Sequence, residues 1–236
     1  MRGSPGWWVR PTAIALVAIV VAHALDGWMY DHFRVDDVYG EDWGRMLRVM
    51  GFLPLWFAAA IALRLEERPA RTRRPWLIAL TPAVAGLAGE LLKLLLRRER
   101  PAVLDGRYSF RPFDERTLSS SGLALPSSHA IVAFGAAAIL SRIFPRAWPV
   151  WWALAWGCAL TRVAAGAHFL SDVVVSAVVG WAIGAAAWSL YHAKPAHPVA
   201  QAEESRRLSL TTTFTISTKE TPHGQGASLR RDHDGV

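Results

Sequence analysis

Two histidines and one carboxylate have the residue types and the spacing that acid–base or nucleophilic chemistry requires. His168 and Asp172 are four residues apart, so on a helix they meet on one face. A carboxylate beside one imidazole nitrogen fixes the tautomer and leaves the other nitrogen free as a base or nucleophile. His129 directly follows Ser127 and Ser128 at the start of an apolar run, where the free N–H groups and the dipole of a helix form an anion site. Taken singly, a His–Asp pair is more often structural, and a plain N-cap explains the serines equally well but gives His129 no role.

Three cations accompany these residues. Lys93 and Arg100 are seven residues apart, which is two helical turns, so we predict that they share a helix face and that Pro101 ends the helix. Arg162 precedes His168 by six residues. Snorkelling at a helix end is the simpler explanation of a single such cation. Cationic donors around paired histidines, however, suit a phosphate, whose charge they neutralise in the transition state.

The composition indicates a membrane protein. The 236 residues are 52% hydrophobic and 19% charged, below the roughly 25% charged residues of soluble domains. The mean hydropathy is +0.20 despite a polar tail. A single cysteine, Cys158, excludes an intrachain disulfide framework. The net charge of +7 does not indicate a nucleic-acid partner, because the basic residues lie between apolar runs and form no continuous patch.

Six apolar segments must position the reactive residues. Each is near the roughly 17–25 residues that a transmembrane helix needs, and none alternates like a barrel strand. The predicted fold class is therefore all-α, a polytopic membrane protein whose residues 1–191 form one bundle of six transmembrane helices. Residues 192–236 are polar and predict a disordered cytoplasmic tail. The segments lie at about 11–30, 49–64, 76–96, 129–145, 148–165 and 169–191.

Loop charges predict the orientation. The loop between segments two and three carries five arginines against two glutamates and is expected in the cytoplasm, as are both termini. The loops after segments one, three and five then face outward, and the reactive residues flank the last two of them. The Arg-rich third loop opposes the charge rule, and a shared outward pocket for an anion would explain it. The first segment has features of a signal peptide around Ala22-His23-Ala24, but we expect it to be retained because apolar residues resume at Gly27–Tyr30.

Together, the three groups resemble the three-part signature of the phosphatidic acid phosphatase type 2 superfamily, which includes lipid phosphatases, acid phosphatases and vanadium haloperoxidases. The match covers residues 93–172 directly. Ser128 stands where the family usually has Gly and Thr161 where it usually has Ser, and neither change removes a catalytic group. The matching residues are Lys93-x6-Arg100-Pro101, Pro126-Ser127-Ser128-His129 and Thr161-Arg162-x5-His168-x3-Asp172.

The resemblance implies a metal-independent membrane phosphatase that requires no cofactor. His168 would attack phosphorus, with Asp172 holding its ring, to form a phosphohistidine. His129 would protonate the leaving oxygen and then activate the hydrolytic water. The phosphoryl oxygens would be bound by Lys93, Arg100, Arg162, the Ser127 hydroxyl and the Ser128 N–H.

The substrate is expected to be a lipid phosphate in a bacterial inner membrane, with the active site facing the periplasm. Undecaprenyl diphosphate is the leading expectation, because an outward site suits the recycling of that carrier. Phosphatidic acid, phosphatidylglycerol phosphate and lipid A phosphates stay open. So do a phosphotransferase with the same residues and a non-enzymatic phosphate-binding transporter or scaffold. Arg97, Arg98, Arg107 and Arg111 are interpreted either as headgroup ligands or as solvated loop charges. The oligomeric state does not follow from the sequence.

Overall fold

Each predicted apolar segment is helical in the structure, a computed structural model that describes residues 9–66 and 74–193. Within these ranges there is no strand, only two isolated bridges that join Arg98 to Phe110 and Glu99 to Leu123. The all-α prediction is therefore confirmed for the described part of the chain. The predicted tail lies outside it from residue 194 onward. The helices are α1 (Val9–His32), α2 (Asp42–Arg48), α3 (Leu53–Glu66), α4 (Arg74–Leu96), α5 (Ser128–Ile143), α6 (Trp148–Ala164) and α7 (Leu170–His192).

The predicted count of six membrane spans is not confirmed by helix length. Among the described residues, α1, α4 and α7 are long and apolar enough to cross a bilayer. The short α2 and α3 meet at a 70° bend and make a fourth span only if the pair counts as one. Helices α5 and α6 have 16 and 17 residues. At the rise of an α-helix they are roughly 24–26 Å long, short of a hydrocarbon core of about 30 Å.

Helix α5 is the centre of the bundle, and its small side chains explain why. Eleven consecutive residues, from Ala130 to Leu140, are buried. A Cβ added at Gly180 of α7 would lie 2.9 Å from the carbonyl oxygen of Ile131, and one at Gly135 would lie 2.9 Å from the Ala85 methyl group of α4. Small residues that let helix backbones approach this closely are typical of membrane helix packing. By contrast, α1 exposes a row of apolar side chains that suits lipid, including Ile14, Val17 and Val20.

One end of the bundle collects the ends of α1, α4 and α6, the beginnings of α5 and α7, and the two loops 33–41 and 97–127. The predicted continuation of α4 to Pro101 was wrong. The helix ends at Leu96, because Arg97 takes a left-handed backbone conformation with φ 54°. The extended backbone of Arg100 then begins a 3-10 turn at Pro101. Lys93 and Arg100 therefore share an end of the bundle but no helix face.

Buried arginines organise the loop 97–127. The Arg97 guanidinium donates to the carbonyl oxygens of Arg111 at 3.0 Å and Pro112 at 2.6 Å. Arg111 in turn donates to the carbonyl oxygens of Ser119 at 3.2 Å and Ser121 at 2.8 Å. Carbonyl groups buried in a loop need such donors because no regular ladder satisfies them. Neither sequence interpretation of these two side chains is therefore correct, because they are neither solvated nor free to bind a headgroup.

Candidate active site

His168 lies in the turn between α6 and α7, which Gly166 makes possible with φ 61°. Its side chain is buried, and its Nδ1 lies 2.9 Å from the carbonyl oxygen of Ala124. Since a carbonyl oxygen only accepts, Nδ1 carries the ring proton and Nε2 of the neutral ring has a free lone pair. Burial lowers the pKa of His168 from 6.5 to about 4, against the opposing effect of the Asp172 carboxylate. The imidazole is therefore neutral, in the tautomer of an Nε2 nucleophile.

Asp172 holds the turn that carries His168. Its Oδ2 accepts the backbone N–H of Phe169 at 2.8 Å, which caps the start of α7. The same oxygen lies 3.6 Å from Nδ1 of His168, beyond the range of a hydrogen bond. The predicted bond from the His168 ring to Asp172 is thus replaced by one to Ala124. Asp172 instead fixes the backbone beside the ring and places a negative charge near it.

Arg98 joins this turn to the first helix. Its guanidinium is 2% exposed and lies 3.6 Å from Asp172 Oδ1, 2.9 Å from Ser171 Oγ and 3.1 Å from Asp26 Oδ2. Asp26, on α1, also accepts the backbone N–H of Ser171 at 2.7 Å. An arginine between two carboxylates compensates charges that would otherwise be costly to bury. The turn of His168 is consequently anchored on α1.

Two aromatic rings enclose the Arg98 guanidinium. The ring centroids of Tyr108 and Phe169 each lie 4.2 Å from its central carbon. The Tyr108 hydroxyl donates to Asp26 Oδ2 at 2.7 Å. Burial of this hydroxyl and its bond to Asp26 raise the pKa of Tyr108 to about 12. The Tyr108 hydroxyl therefore stays protonated at physiological pH, and the two rings shield the Arg98 guanidinium from water.

His129 is half-buried at the second residue of α5. Its Nε2 accepts a hydrogen bond from Nε of Arg48 at 3.4 Å. Besides Arg48, three charged or titratable side chains lie close enough to act on it electrostatically: Lys93, Arg162 and His168. The two histidines thus face one region of the protein, as the sequence predicts.

The predicted phosphate-binding cations also converge. The Lys93 ammonium is buried, lies 3.1 Å from Glu90 Oε1 and contacts the Ser128 hydroxyl. That hydroxyl donates to Glu90 at 2.5 Å. The charges of Arg100 and Arg162 act on Lys93 and on each other. Arg162 donates to the Tyr39 hydroxyl of the first loop at 2.7 Å.

Two donors at this point have no protein partner. Within the described ranges, the buried Ser127 Oγ and the buried Arg162 Nε are among six side-chain atoms without one. The Ser127 backbone N–H, by contrast, donates to Ser176 Oγ at 2.9 Å. A buried donor left unpaired costs about 1–3 kcal/mol, so an oxyanion that accepts from both would recover that cost. The arrangement suits a tetrahedral oxyanion held between two imidazoles.

Comparison with known proteins agrees with this chemistry. The family model of the PAP2 superfamily matches residues 74–196, the stretch that holds all eight predicted site residues. The chain belongs to the PAP2 superfamily. It is therefore a phosphatase, as the sequence resemblance predicts.

The PAP2 chain is similar to two kinds of curated bacterial phosphatase. It is 34% identical to the decaprenylphosphoryl-5-phosphoribose phosphatase of Mycobacterium tuberculosis over 137 residues, 58% of this chain and 69% of the relative. It is 35% identical to the lipid A 1-phosphatase of Rhizobium etli over 104 residues, 43% of this chain and 44% of the relative. The transmembrane PAP2-type phosphatidylglycerolphosphate phosphatase of Bacillus subtilis has the same fold. It aligns with a TM-score of 0.56 and 18% identity over 79% of this chain and 98% of that one.

The sequence did not reveal the supporting roles of four residues that are not among the signature positions of the PAP2 site. Asp26 and Arg98 hold the turn of His168, while Tyr39 of the first loop and Arg48 of α2 reach the site. A signal for the first pair was present, because Asp26 is a carboxylate within an apolar segment and such residues normally have an opposite charge as partner. No local pattern marks Tyr39, which makes its contact across the bundle.

Proposed function

We propose that this protein is an integral-membrane lipid phosphatase that forms a phosphohistidine on Nε2 of His168. The observation that carries the proposal is the tautomer of that ring. Its Nδ1 is bound to the Ala124 carbonyl, which leaves Nε2 with a lone pair in a ring on which the charges of Arg162 and Lys93 act. The site also contains two unpaired donors, Ser127 Oγ and Arg162 Nε. An activated nucleophile in a cationic, partly dehydrated pocket is what phosphoryl transfer requires.

The reaction proceeds in two displacements. His168 Nε2 forms a bond to phosphorus while the bond from phosphorus to the lipid oxygen breaks, and His129 gives its proton to that oxygen. His129 then takes a proton from water, whose oxygen attacks phosphorus, and the P–N bond breaks to release inorganic phosphate. Arg100, Arg162 and Lys93 hold the charged phosphoryl oxygens, and Lys93 exchanges its Glu90 contact for one to the phosphate. The proposed role of Asp172 is to fix the turn of His168.

The proposed substrate is a polyprenyl-linked phosphate. Undecaprenyl diphosphate is the first candidate, because a long apolar tail stays in the bilayer while the diphosphate enters a site at the end of the bundle. A lipid-linked sugar phosphate is the second candidate. It is favoured by the identity to decaprenylphosphoryl-5-phosphoribose phosphatase, which extends over 69% of that protein.

The proposed setting is a bacterial inner membrane with the site on the periplasmic face. The six helices other than α2 are proposed to cross or enter the bilayer, with the shorter α5 and α6 held inside the bundle by their neighbours. The charges at the helix ends support this orientation, because Arg64 in the last turn of α3 and Arg74 at the start of α4 lie at the opposite end of the bundle from the site.

The proposal is tested with purified full-length protein in detergent and a substrate panel. The panel contains undecaprenyl diphosphate, a polyprenyl phosphoribose phosphate, phosphatidic acid, phosphatidylglycerol phosphate and lipid A, all assayed for phosphate release with a metal chelator present. We expect release from at least one polyprenyl substrate and transient labelling of the protein by terminal ³²P. Absence of phosphate release from every lipid would overturn the proposal.

A further inference from the structure

A fourth cation, Arg48, lies at the site although it belongs to none of the three sequence motifs. It is the last residue of α2, and its Nε donates to Nε2 of His129 at 3.4 Å. Its guanidinium carbon lies 4.7 Å from the ring centroid of Tyr39, the residue that binds Arg162. No carboxylate in the described ranges forms a salt bridge with Arg48, whereas its neighbour Arg45 pairs with Asp42 at 2.6 Å.

Close packing fixes the backbone next to Arg48. The 3-10 turn Val49–Gly51 follows it directly, and a Cβ added at Gly51 would lie only 2.6 Å from the carbonyl oxygen of His129. Only glycine therefore allows this turn to approach the start of α5. The buried Trp56 also donates its Nε1–H to the carbonyl oxygen of Met50 at 3.0 Å. The backbone beside Arg48 is fixed against the helix that carries His129.

The position of Arg48 relative to the two histidines indicates on which side of the reacting phosphorus it lies. In an in-line displacement the leaving oxygen departs opposite the nucleophile. His168 is the proposed nucleophile and His129 the proposed proton donor to the leaving oxygen, so Arg48, next to His129, lies on the leaving-group side. Lys93, Arg100 and Arg162 are already assigned to the transferred phosphoryl group.

The hydrogen bond between Arg48 and His129 adds a chemical constraint. A guanidinium cannot accept, so Nε2 of His129 is unprotonated while this bond exists. Before His129 can deliver a proton from Nε2, Arg48 must turn to another acceptor. An anionic oxygen on the leaving group is such an acceptor, and guanidinium groups bind phosphate oxygens well.

We propose that Arg48 forms a subsite for the inner phosphate of a lipid diphosphate. This inference rests on the proposed function and narrows its substrate to diphosphates. When the bond between the terminal phosphorus and the bridging oxygen breaks, the electron pair stays on that oxygen and the leaving group is a lipid monophosphate. Arg48 stabilises that charge. A phosphate monoester instead releases an alcohol, which needs the proton of His129 and gains little from a nearby cation.

The test compares Arg48→Gln with wild type on farnesyl diphosphate and farnesyl monophosphate, two substrates with one tail. A hydrogen bond to a charged group contributes enough that kcat/KM on the diphosphate should fall about 10- to 100-fold. On the monophosphate kcat/KM should fall at least about tenfold less than on the diphosphate, because the contact to the inner phosphate is absent from that transition state. Arg48→Lys should keep part of the diphosphate activity. Arg45→Gln is the matched control, since it removes the same charge from the same short helix.

Competitive inhibition by inorganic anions gives a second measurement, which reports the binding of the anion itself and not the rate of a chemical step. Wild type should bind pyrophosphate more tightly than phosphate, and Arg48→Gln should lose most of that difference. Equal losses on both farnesyl substrates, or a wild type that hydrolyses only the monophosphate, would overturn the subsite and leave the phosphatase proposal intact. A wild type that hydrolyses neither substrate, nor any lipid in the larger panel, overturns the proposed function itself.

Discussion

The surroundings of the two histidines differ sharply. His168 is buried, with its Nδ1 bound to a carbonyl and its turn anchored by Asp172, Arg98 and Asp26. His129 is half-buried at the open start of α5, and its hydrogen-bond partner is the exposed Arg48. The His168 ring is thus close to buried charges anchored on two helices, whereas the His129 ring contacts an exposed side chain.

The difference corresponds to the two proposed tasks. A nucleophile must present one lone pair in one direction, so a rigid and dry setting favours it. A group that first donates and then accepts a proton needs access to the leaving oxygen and afterwards to water. The environments therefore predict which imidazole becomes covalently modified.

Replacement of His168 by Ala should have the largest effect. Because the phosphoryl group loses its acceptor, kcat should fall about 10⁴-fold or more, as for the loss of other nucleophiles. Terminal ³²P from a labelled substrate should no longer remain on the protein. His23→Ala is the control, since that ring is exposed on α1 and bonds to its own helix. Full activity in His168→Ala would assign the nucleophile elsewhere.

Replacement of His129 by Ala should have a smaller effect that depends on the leaving group. Loss of a general acid–base costs about 10²- to 10⁴-fold in kcat on a lipid monoester. With p-nitrophenyl phosphate, whose leaving group needs little protonation, the first step should persist while hydrolysis is slow. A burst of nitrophenol and an accumulated phosphoenzyme, followed by rapid quench, are the expected signals. No burst and no phosphoenzyme would contradict the division of roles.

Asp26→Asn tests whether the anchoring of His168 depends on α1. The change leaves the buried Arg98 short of one counter-charge, and breaking a buried ion pair costs about 3–5 kcal/mol of unfolding free energy. Denaturant titration in detergent should show this loss, and the folded fraction should have a lower kcat. Asp31→Asn, an exposed carboxylate on the same helix, is the control and should have neither effect. An unchanged stability of Asp26→Asn would show that the network does not hold the turn.

The smallest expected effect is the change in kcat/KM with pH near neutrality. Burial holds the pKa of His168 at about 4, below its ordinary 6.5, so the folded protein keeps this ring neutral when an exposed histidine is already protonated. Protonation of His168 should therefore reduce kcat/KM only as the pH falls through about 4. The same shift favours the unfolded state below about pH 6.5, because the unfolded chain binds that proton first. A rate profile for p-nitrophenyl phosphate that assigns a pKa near 6.5 to the nucleophile would contradict the rigid, dry setting.

The sequence predicted that the site residues converge at one end of the bundle. It did not predict the residues that hold them in place. Helical segments on either side of the loops 97–127 and 165–169 place Lys93, His129 and His168 at one end of the bundle. The end of α4 at Leu96 was not predictable, because the left-handed backbone of Arg97 that ends the helix has no signal in the hydrophobic pattern. The bond between Arg98 and Asp26 joins residues 72 positions apart, and local patterns carry no information about such pairs.

The contact between Asp26 and Ser171 joins positions separated by 145 residues, near opposite ends of the bundle's polypeptide. A ribosome therefore completes the segment that braces the nucleophile long before the segment that bears it. Hydrolytic competence can arise only after both have been inserted and have found each other. Under the proposed mechanism, partly assembled chains therefore cannot release phosphate from the lipids around them.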